Sequence, residues 1–507
     1  MATRTRKNPI TVFLNTVEKL GNALPHPATL FGVFALLVLI LSAVFSAMDV
    51  SAVHPTTGES FEAINLLSRD GLYKILTEMV NNFTDFAPLG IVIVAMLGIG
   101  IAEDSGLIAV LIKSLVLYSP QRTLTFILVF AGIMSNLASS VGYVLLVPLA
   151  GTIFIAIKRH PIIGMAAAFA GVSGGYSANL VIGTIDPLLA GLSEEAAHLV
   201  DPSYTVNPTA NYYFMVASTF LISVLGTWVT EKIVAPRFKD YNPGSVESEE
   251  IKRLTKTEKK GLMLAGLVLI AFIGIVLLGI LPDNGFLRVD GKSWLYSPVL
   301  KGVVAVLFII AGVMGLIYGI ITKKYKNDSD VMKGMSESMK TLAGYLVLVF
   351  FAAQFVKYFE WSNLGIILAI NGASGIQSMD LGLIPLVIMF ILFSCLINLI
   401  MGSASAKWAL MAPVFIPMFM FLGYTPELTQ VAYRIGDSTT NVISPMMTFF
   451  ALIIVYFQRY DKKASIGTLV ATMLPYTIVF LIGWIILLVI WIYAGIPLGP
   501  GTGVHLP

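Results

Sequence analysis

The chain has 507 residues, of which 57% are hydrophobic and only 12% charged, and its formal net charge is +3. Soluble domains carry roughly one quarter charged residues, so this composition excludes an ordinary soluble protein. The small net charge gives no indication of a nucleic-acid partner. Apolar runs near the roughly 20 residues that span a bilayer recur along the chain, which predicts a polytopic membrane protein. Because Cys395 is the single cysteine, an intrachain disulfide and a cysteine cluster for zinc are excluded.

Nine membrane spans are predicted from the apolar runs and from the charges between them. Lys and Arg of short loops are retained on the cytoplasmic side. This predicts a cytoplasmic N-terminus (1–27), two membrane halves (28–235 and 261–495) joined by a cytoplasmic linker (236–260), and a C-terminal tail (496–507) outside. The predicted spans are 28–49, 84–103, 162–190, 211–235, 261–281, 300–321, 342–370, 428–457 and 469–495.

Two further stretches are predicted to be re-entrant hairpins. The first, at about 124–157, is too short for two spans and has basic residues at both ends. The second, at about 383–422, is flanked by uncharged or acidic sequence. Each hairpin precedes a span with polar breaks, 162–190 in the first half and 428–457 in the second. Entry from opposite sides makes the two halves an inverted repeat, so the predicted fold is an all-α membrane protein with nine spans and two hairpins.

The same polar interruption occurs in both halves, 262 to 265 residues apart. Residues 138–140 precede Pro148 in the first half, and residues 403–405 precede Pro413 in the second. Small hydroxyl residues, Asn, Gly and Pro at corresponding depths are typical of a transporter built from repeats. Non-helical backbone at membrane depth must be covered by protein or water, so the breaks are expected to converge on one site.

Asp186, Lys407, Arg434 and Asp437 are charged residues within predicted membrane segments. A charge at the bilayer centre costs at least about 2.5 to 3.5 kcal/mol, so each is a functional candidate. A structural alternative exists for each. Arg434 could pair with Asp437, three residues on along the same helix face. Asp186 could be a turn residue before Pro187, and Lys407 could brace carbonyl groups at the hairpin tip.

Side chains with hard oxygen atoms cluster at the breaks, where they could bind sodium or merely cap broken helix ends. The candidates for ion or proton coupling are Asp186, Asp437, Asn136, Ser139, Asn179, Asn398, Ser403 and Asn441. Possible sodium sites are Asn136, Ser139 and Asn179 in the first half, and Asn398, Asp437 and Asn441 in the second.

Other chemistries have no support in the sequence. All five histidines lie in predicted loops or ends, which argues against a histidine proton relay through the membrane. Neither a zinc-protease motif nor an ATP-binding motif occurs, so transport would be secondary and no enzyme or cofactor is expected. Trp408 and Tyr143 follow the two hairpin tips at matching places. They could stack on a flat ligand or anchor at the membrane interface.

Several stretches resemble the AbgT family of bacterial p-aminobenzoyl-glutamate transporters, over nearly the whole chain. The most specific are residues 402–408, 412–420 and 434–438. The resemblance implies a homodimer of nine-span protomers in the bacterial cytoplasmic membrane. It also implies uptake of p-aminobenzoyl-glutamate and export of sulfonamide antimetabolites. The family's functional positions correspond here to Asp186, Ser405, Trp408, Pro426, Arg434, Asp437 and Pro445.

The leading hypothesis is therefore an ion-coupled secondary transporter of p-aminobenzoyl-glutamate and related aryl amines, including sulfonamides. Ser405 and Trp408 are its predicted substrate contacts, and Arg434 is either an anchor for a substrate carboxylate or a partner of Asp437. Ser140 stands where family members tend to carry an acidic residue, which is expected to weaken one cation site or change its ion preference. The alternatives are a sodium-coupled dicarboxylate carrier of the same architecture and, from another class, a channel or an intramembrane enzyme.

Overall fold

The computed structural model describes residues 25–53, 58–137, 141–238, 253–282, 284–289 and 293–506. Their backbone is mostly helical, with one short antiparallel pair of strands, β1 (Ser51–Val53) and β2 (Ser60–Glu62). The α-helices in chain order are α1 (Pro27–Ala47), α2 (Arg69–Thr84), α3 (Ala87–Asp104), α4 (Leu107–Leu117), α5 (Leu124–Met134), α6 (Val147–Ala156), α7 (Pro161–Phe169), α8 (Ile185–Ala197), α9 (Tyr212–Val229), α10 (Lys256–Ile280), α11 (Pro298–Lys301), α12 (Val303–Ile321), α13 (Asp328–Thr341), α14 (Ala343–Trp361), α15 (Leu364–Ser378), α16 (Leu383–Ile400), α17 (Ala404–Phe421), α18 (Pro426–Asn441), α19 (Phe450–Gln458) and α20 (Ile466–Tyr493).

Nine helical segments of the described residues are long and apolar enough to cross a membrane. Lipid offers the backbone no hydrogen bonds, so such sequence folds into helices, which satisfy their own N–H and C=O groups. The outer faces stay apolar. In α10, for example, Ile270 is 67% exposed and Leu278 is 71% exposed, as expected for side chains that face lipid. The predicted all-α polytopic membrane fold is confirmed.

The nine apolar segments of the structure are not the same nine stretches of sequence that were predicted to be spans. The arms of the second hairpin, α16 and α17, are each 18 residues long and count among them, whereas both broken spans are divided into shorter helices. The predicted span 342–370 also differs. Its helix α14 ends at Trp361, because Asn363 adopts a left-handed backbone with φ of 57°, and a new helix begins at Leu364.

Each predicted hairpin has two helical arms in the described part of the chain. In the second, α16 and α17 are separated by residues 401–403. In the first, α5 runs through a 3-10 turn at Ser135–Leu137, and the return arm begins with a π-helical turn at Gly142–Leu146 that leads into α6. The first tip, residues 138–140, lies outside the described residues. That these hairpins enter the membrane from opposite sides stays a prediction.

Both predicted broken spans are interrupted in the structure. In the first, α7 and a π-helical turn end at Gly174, and residues 175–184 separate them from α8. In the second, residues 442–449 separate α18 from α19. The polar stretch from Gly436 to Pro445 is helical in its first part, because α18 continues to Asn441. The first break contacts this helix directly, since the Ser177 N–H donates to Ser438 Oγ at 3.1 Å.

Loops predicted to share a side of the membrane contact one another. On the predicted cytoplasmic side, Arg159 forms an ion pair with Glu231 at 2.8 Å. On the opposite side, the C-terminal tail folds back onto the protein: the Thr425 N–H donates to the carbonyl of Val504 at 3.1 Å, and the Phe214 N–H donates to that of Leu498 at 3.1 Å. The tail is therefore a packed segment, which its sequence rich in glycine and proline did not indicate.

Candidate functional site

A buried ion pair joins the two halves of the chain. Asp186 lies at the start of α8, directly after the first break, and Arg434 lies in the middle of α18. The Arg434 guanidinium donates to Asp186 Oδ1, while Asp186 Oδ2 accepts from the Gly183 N–H at 2.7 Å. Both side chains are almost fully buried. The sequence alternative in which Arg434 pairs with Asp437 on its own helix is wrong, because Asp437 has another partner.

That partner is Lys407, from the second turn of α17. Its ammonium donates to Asp437 Oδ1 and to Asn398 Oδ1, and both Lys407 and Asp437 are buried. The Asn398 amide in turn donates to the Asp437 carbonyl at 2.6 Å, to Thr440 Oγ1 at 2.8 Å and to Asn441 Oδ1 at 2.9 Å. The second hairpin and α18 are therefore locked together by charge and by hydrogen bonds at the hairpin tip.

Trp408 is packed inside the protein. It is completely buried, its ring stacks on Tyr433 with centroids 4.5 Å apart, and its indole N–H donates to Ser193 Oγ at 3.0 Å. Ser193 Oγ also makes a hydrogen bond of 2.8 Å to Gln430 Oε1. In this conformation Trp408 thus holds α17 against α8 and α18, and the stacking on a ligand that the sequence suggested stays a prediction.

A cavity of about 400 Å³ lies where the second hairpin tip meets both breaks. Its wall contains three of the predicted site residues, Ser403, Ser405 and Asn441. The remaining lining residues are Val92, Met96, Tyr143, Tyr176, Thr184, Ile185, Leu188, Thr341, Leu342, Tyr345, Gly402, Ala404, Met447, Thr448 and Phe449. This volume is within the range of small-molecule binding sites, which are mostly apolar with a few convergent polar groups.

Two features of the cavity wall could bind an aromatic carboxylate. Tyr143 stacks on Phe449 with ring centroids 4.4 Å apart and offers an aromatic surface. The second feature is the N-terminus of α17, which lies at the cavity. There Ser403 Oγ accepts a hydrogen bond from the Ala406 N–H at 3.4 Å and lies 3.3 Å from Ser405 Oγ. A helix N-terminus carries partial positive charge and free N–H groups, and both favour an anion.

The other predicted residues lie around the cavity without lining it. Asn179 is buried in the first break, where its Oδ1 accepts from the Val181 N–H at 3.2 Å. Asn136 donates to the Ile133 carbonyl at 3.2 Å, so both of these hydrogen bonds are local to the first half. Ser139 lies outside the described residues. Pro426 begins α18, where its fixed φ suits a first helical turn, and Pro445 lies in the second break.

Sequence reasoning missed one wall of the cavity. Thr341, Leu342 and Tyr345 come from the junction of α13 and α14, which lies outside both hairpins and both broken spans. Because neither polarity nor repetition distinguishes this junction, the sequence held no signal for it. Tyr176 and Phe449, by contrast, lie in the two breaks and could have been found by treating every aromatic residue of a break as a candidate.

We expect that filling the cavity blocks transport without unfolding the protein. Ser405→Phe places a large side chain in the cavity wall and should reduce transport at least about tenfold, the effect of about 1.4 kcal/mol. The thermal unfolding midpoint should stay near that of the unmodified chain, because the cavity has room for the ring. Ser378→Phe, at an exposed position near the end of α15, is the control and should leave transport unchanged. Equal transport by both variants would exclude the cavity as the substrate site.

Comparisons with known proteins agree with this architecture. The model of the AbgT transporter family matches residues 12–506. The chain is 37% identical over 486 residues to the p-aminobenzoyl-glutamate transport protein of Escherichia coli K12, covering 96% of this chain and 95% of that protein. Two solved structures are similar. The YdaH transporter of Alcanivorax borkumensis has a TM-score of 0.90 and 47% identity, over 94% of this chain and 100% of that one. MtrF of Neisseria gonorrhoeae, from a class of antimetabolite efflux pumps, has a TM-score of 0.91 and 49% identity, over 97% of this chain and 100% of that one.

Proposed function

We propose that this chain, which belongs to the AbgT transporter family and is therefore a membrane transporter, is an ion-coupled secondary carrier of p-aminobenzoyl-glutamate and related aryl amines. Sulfonamide antimetabolites share the aminobenzene ring and are proposed as exported substrates. The observation that carries this proposal is the 400 Å³ cavity, which combines a stacked aromatic pair with a helix N-terminus and two serine hydroxyls. One end of such a site suits an aryl ring, and the other suits a carboxylate.

The proposed binding mode places the aryl ring beside Tyr143 and Phe449 and the glutamyl carboxylates near Ser403 and Ser405. Arg434 does not line this cavity, since its guanidinium is paired with Asp186. Its proposed role is therefore to hold the first break against α18. A direct contact between Arg434 and a substrate carboxylate requires the pair with Asp186 to open.

Coupling is proposed to involve the two buried aspartates, Asp186 and Asp437, with a proton or sodium as the ion. Each lies beside a break and is neutralised by a cation from another helix. A carboxylate in that position favours one arrangement of the breaks when charged and another when protonated. The hard oxygens of Asn136, Ser139 and Asn179 form the proposed sodium site of the first half.

Uptake of radiolabelled p-aminobenzoyl-glutamate into proteoliposomes tests this function. Sodium and proton gradients are imposed separately, and we expect one of them to drive accumulation above the equilibrium level. An unlabelled sulfonamide should compete for uptake because it carries the same ring. Competition by succinate instead would favour a dicarboxylate carrier. Transport that depends on neither gradient would contradict an ion-coupled secondary carrier.

We also propose a homodimer in the bacterial cytoplasmic membrane, with the N-terminus in the cytoplasm and the C-terminus outside. The loop charges support this orientation, because most of the Lys and Arg residues of the loops fall on one side of the predicted spans. The cavity reaches the start of α14. This helix follows the loop between the predicted spans 300–321 and 342–370, which the predicted topology places in the cytoplasm, so we propose that the cavity opens toward the cytoplasm in this conformation. A reporter fused to the C-terminus and the mass of the purified protein in detergent test orientation and dimerisation.

A further inference from the structure

Asparagine residues occupy equivalent positions in the proposed ion sites of the two halves. Asn136 and Asn398 are 262 residues apart, and the same distance separates Asn179 from Asn441. In each half the first amide stands just before the hairpin tip and the second stands at the break of the following span. The repeat has therefore preserved a pair of hard oxygen donors in both halves.

The charged pair of the second half has no counterpart in the first. Lys407 lies 265 residues after Gly142, a spacing that also separates Pro148 from Pro413, and Asp437 lies 262 residues after Gly175. Both members of the ion pair are thus replaced by glycine together. The first half has no room for a lysine either, since a Cβ on Gly142 would press against a neighbouring hydroxyl and a neighbouring valine.

The Lys407 ammonium contacts two side-chain oxygen atoms, Asn398 Oδ1 and Asp437 Oδ1. Further oxygen atoms lie next to this pair, because the Asn398 amide nitrogen donates to the Asp437 carbonyl, to Thr440 Oγ1 and to Asn441 Oδ1 within 2.9 Å. Carboxylate, carbonyl, amide and hydroxyl oxygens are the ligands that hard cations take. A strongly hydrated ammonium on a flexible stem can fill such a site as a point charge.

We infer that the Lys407 ammonium is a tethered cation that occupies the second-half ion site and excludes free sodium from it. Asp437 is already neutralised, so a sodium ion there would place two cations beside one carboxylate. The inference builds on the proposed function, because it assigns any sodium dependence to the first half and leaves proton transfer as the ion chemistry at Asp437.

Removing the tethered charge should create a sodium site. In Lys407→Met the side chain keeps its approximate length but loses its charge, which leaves the Asp437 carboxylate among neutral oxygen donors. We expect sodium to raise the thermal unfolding midpoint of the purified Lys407→Met protein over that in choline by about 2 °C or more beyond any sodium effect on the unmodified chain. The double variant Lys407→Met with Asp437→Asn has no net charge in the site and should lose this extra shift, and Lys407→Arg should not show it.

Two results would overturn the inference. The first is a folded Lys407→Met protein, eluting as the unmodified chain does, whose midpoint responds to sodium no more than the unmodified chain does. The second is a sodium-induced rise in the unmodified chain that Asp437→Asn abolishes, since free sodium would then bind beside Lys407. The second result needs no Lys407 variant, so misfolding of Lys407→Met leaves the test intact. Because the readout is binding, a failure of the proposed transport activity does not affect it.

A separate observation indicates a buried water molecule beside the other ion pair. Ser177 Oγ, Asn211 Oδ1 and Arg434 Nε are buried and have no hydrogen-bond partner within the described part of the chain. All three residues line one cavity of about 10 Å³, close to the least volume that admits one water, about 10 to 15 Å³. We infer that a single water accepts from Arg434 Nε and donates to Asn211 Oδ1 and Ser177 Oγ.

This site does not suit an ion. A cation is repelled by the Arg434 guanidinium, and an anion cannot donate to Asn211 Oδ1, whose amide nitrogen is already engaged with the Glu427 carbonyl at 3.1 Å. A density map of the unmodified protein at about 2 Å resolution tests the inference. We expect a spherical peak within about 3.2 Å of all three atoms. A map without that peak, or one in which the three groups are hydrogen-bonded to protein, would overturn it.

Discussion

Arg434→Met is expected to abolish transport and to lower the free energy of unfolding by about 3 to 5 kcal/mol, the range found when one partner of a buried ion pair is removed. The loss arises because the Asp186 carboxylate, almost fully buried, would have no counter-charge. Its remaining partner, the Gly183 N–H, cannot neutralise it. The first break would then separate from α18, and we expect the cavity to lose its shape.

Two further variants make this prediction specific. Lys340→Met breaks an exposed pair with Glu337 at 2.7 Å and should change stability by no more than about 1 kcal/mol. The double variant Arg434→Met with Asp186→Asn removes both buried charges and should recover most of the lost stability. Unfolding in detergent and uptake into proteoliposomes are measured for each protein. If the double variant recovers stability but not transport, the charges act in transport itself, and if Arg434→Met is as stable as the unmodified chain, the pair described here does not form.

Trp408→Ala is expected to cost about 3 to 5 kcal/mol of unfolding free energy, the usual result of emptying a fully buried aromatic position. The variant removes the stack on Tyr433 and the hydrogen bond to Ser193. Trp408→Phe keeps an aromatic ring against Tyr433 and should cost less, about 1 to 3 kcal/mol, mainly through the unpaired Ser193 hydroxyl and the smaller ring.

The exposed Trp294, 44% accessible, provides the matched control, and Trp294→Ala should change stability by less than about 0.5 kcal/mol. Thermal unfolding and the substrate concentration dependence of uptake are measured together. A packing role predicts that Trp408→Phe lowers the unfolding midpoint in proportion to its loss of transport. A direct substrate contact predicts instead a raised KM at an unchanged midpoint, and that result would contradict the packing role.

The polar interruptions of the sequence were sufficient to predict where the two broken spans are interrupted, whereas re-entry of the two hairpins stays a prediction. Polar groups cannot face lipid without cost, so their spacing carries information about membrane architecture. The positions of helix ends were harder to predict from the sequence. Asn363 ends α14 through a left-handed backbone that asparagine tolerates but does not require, and the C-terminal tail, rich in glycine and proline, gave no sign that it packs.

The charge partners could not be predicted, because helical spacing and tertiary packing compete. Arg434 and Asp437 are three positions apart in the sequence, which places them on the same face of a helix and suggested that they form a pair. In the structure Arg434 instead reaches Asp186, 248 residues away, while Lys407 neutralises Asp437. Each buried carboxylate must have its own cation, and with two of each the assignment depends on how the halves pack. Chain order contains no information about that packing.

Thiol accessibility at the cavity tests most directly the central claim that this cavity is a substrate site reached from one side of the membrane at a time. Cys395 is replaced by Ala, and Ser405→Cys then provides a single thiol in the cavity wall. A membrane-impermeant maleimide is applied from either side of oriented vesicles, with and without p-aminobenzoyl-glutamate. We expect substrate to slow the labelling of this thiol. We also expect that any condition that makes labelling faster from one side of the membrane makes it slower from the other side. Rapid labelling from both sides under one condition would indicate a channel and contradict alternating access, and labelling that substrate leaves unchanged would exclude the cavity.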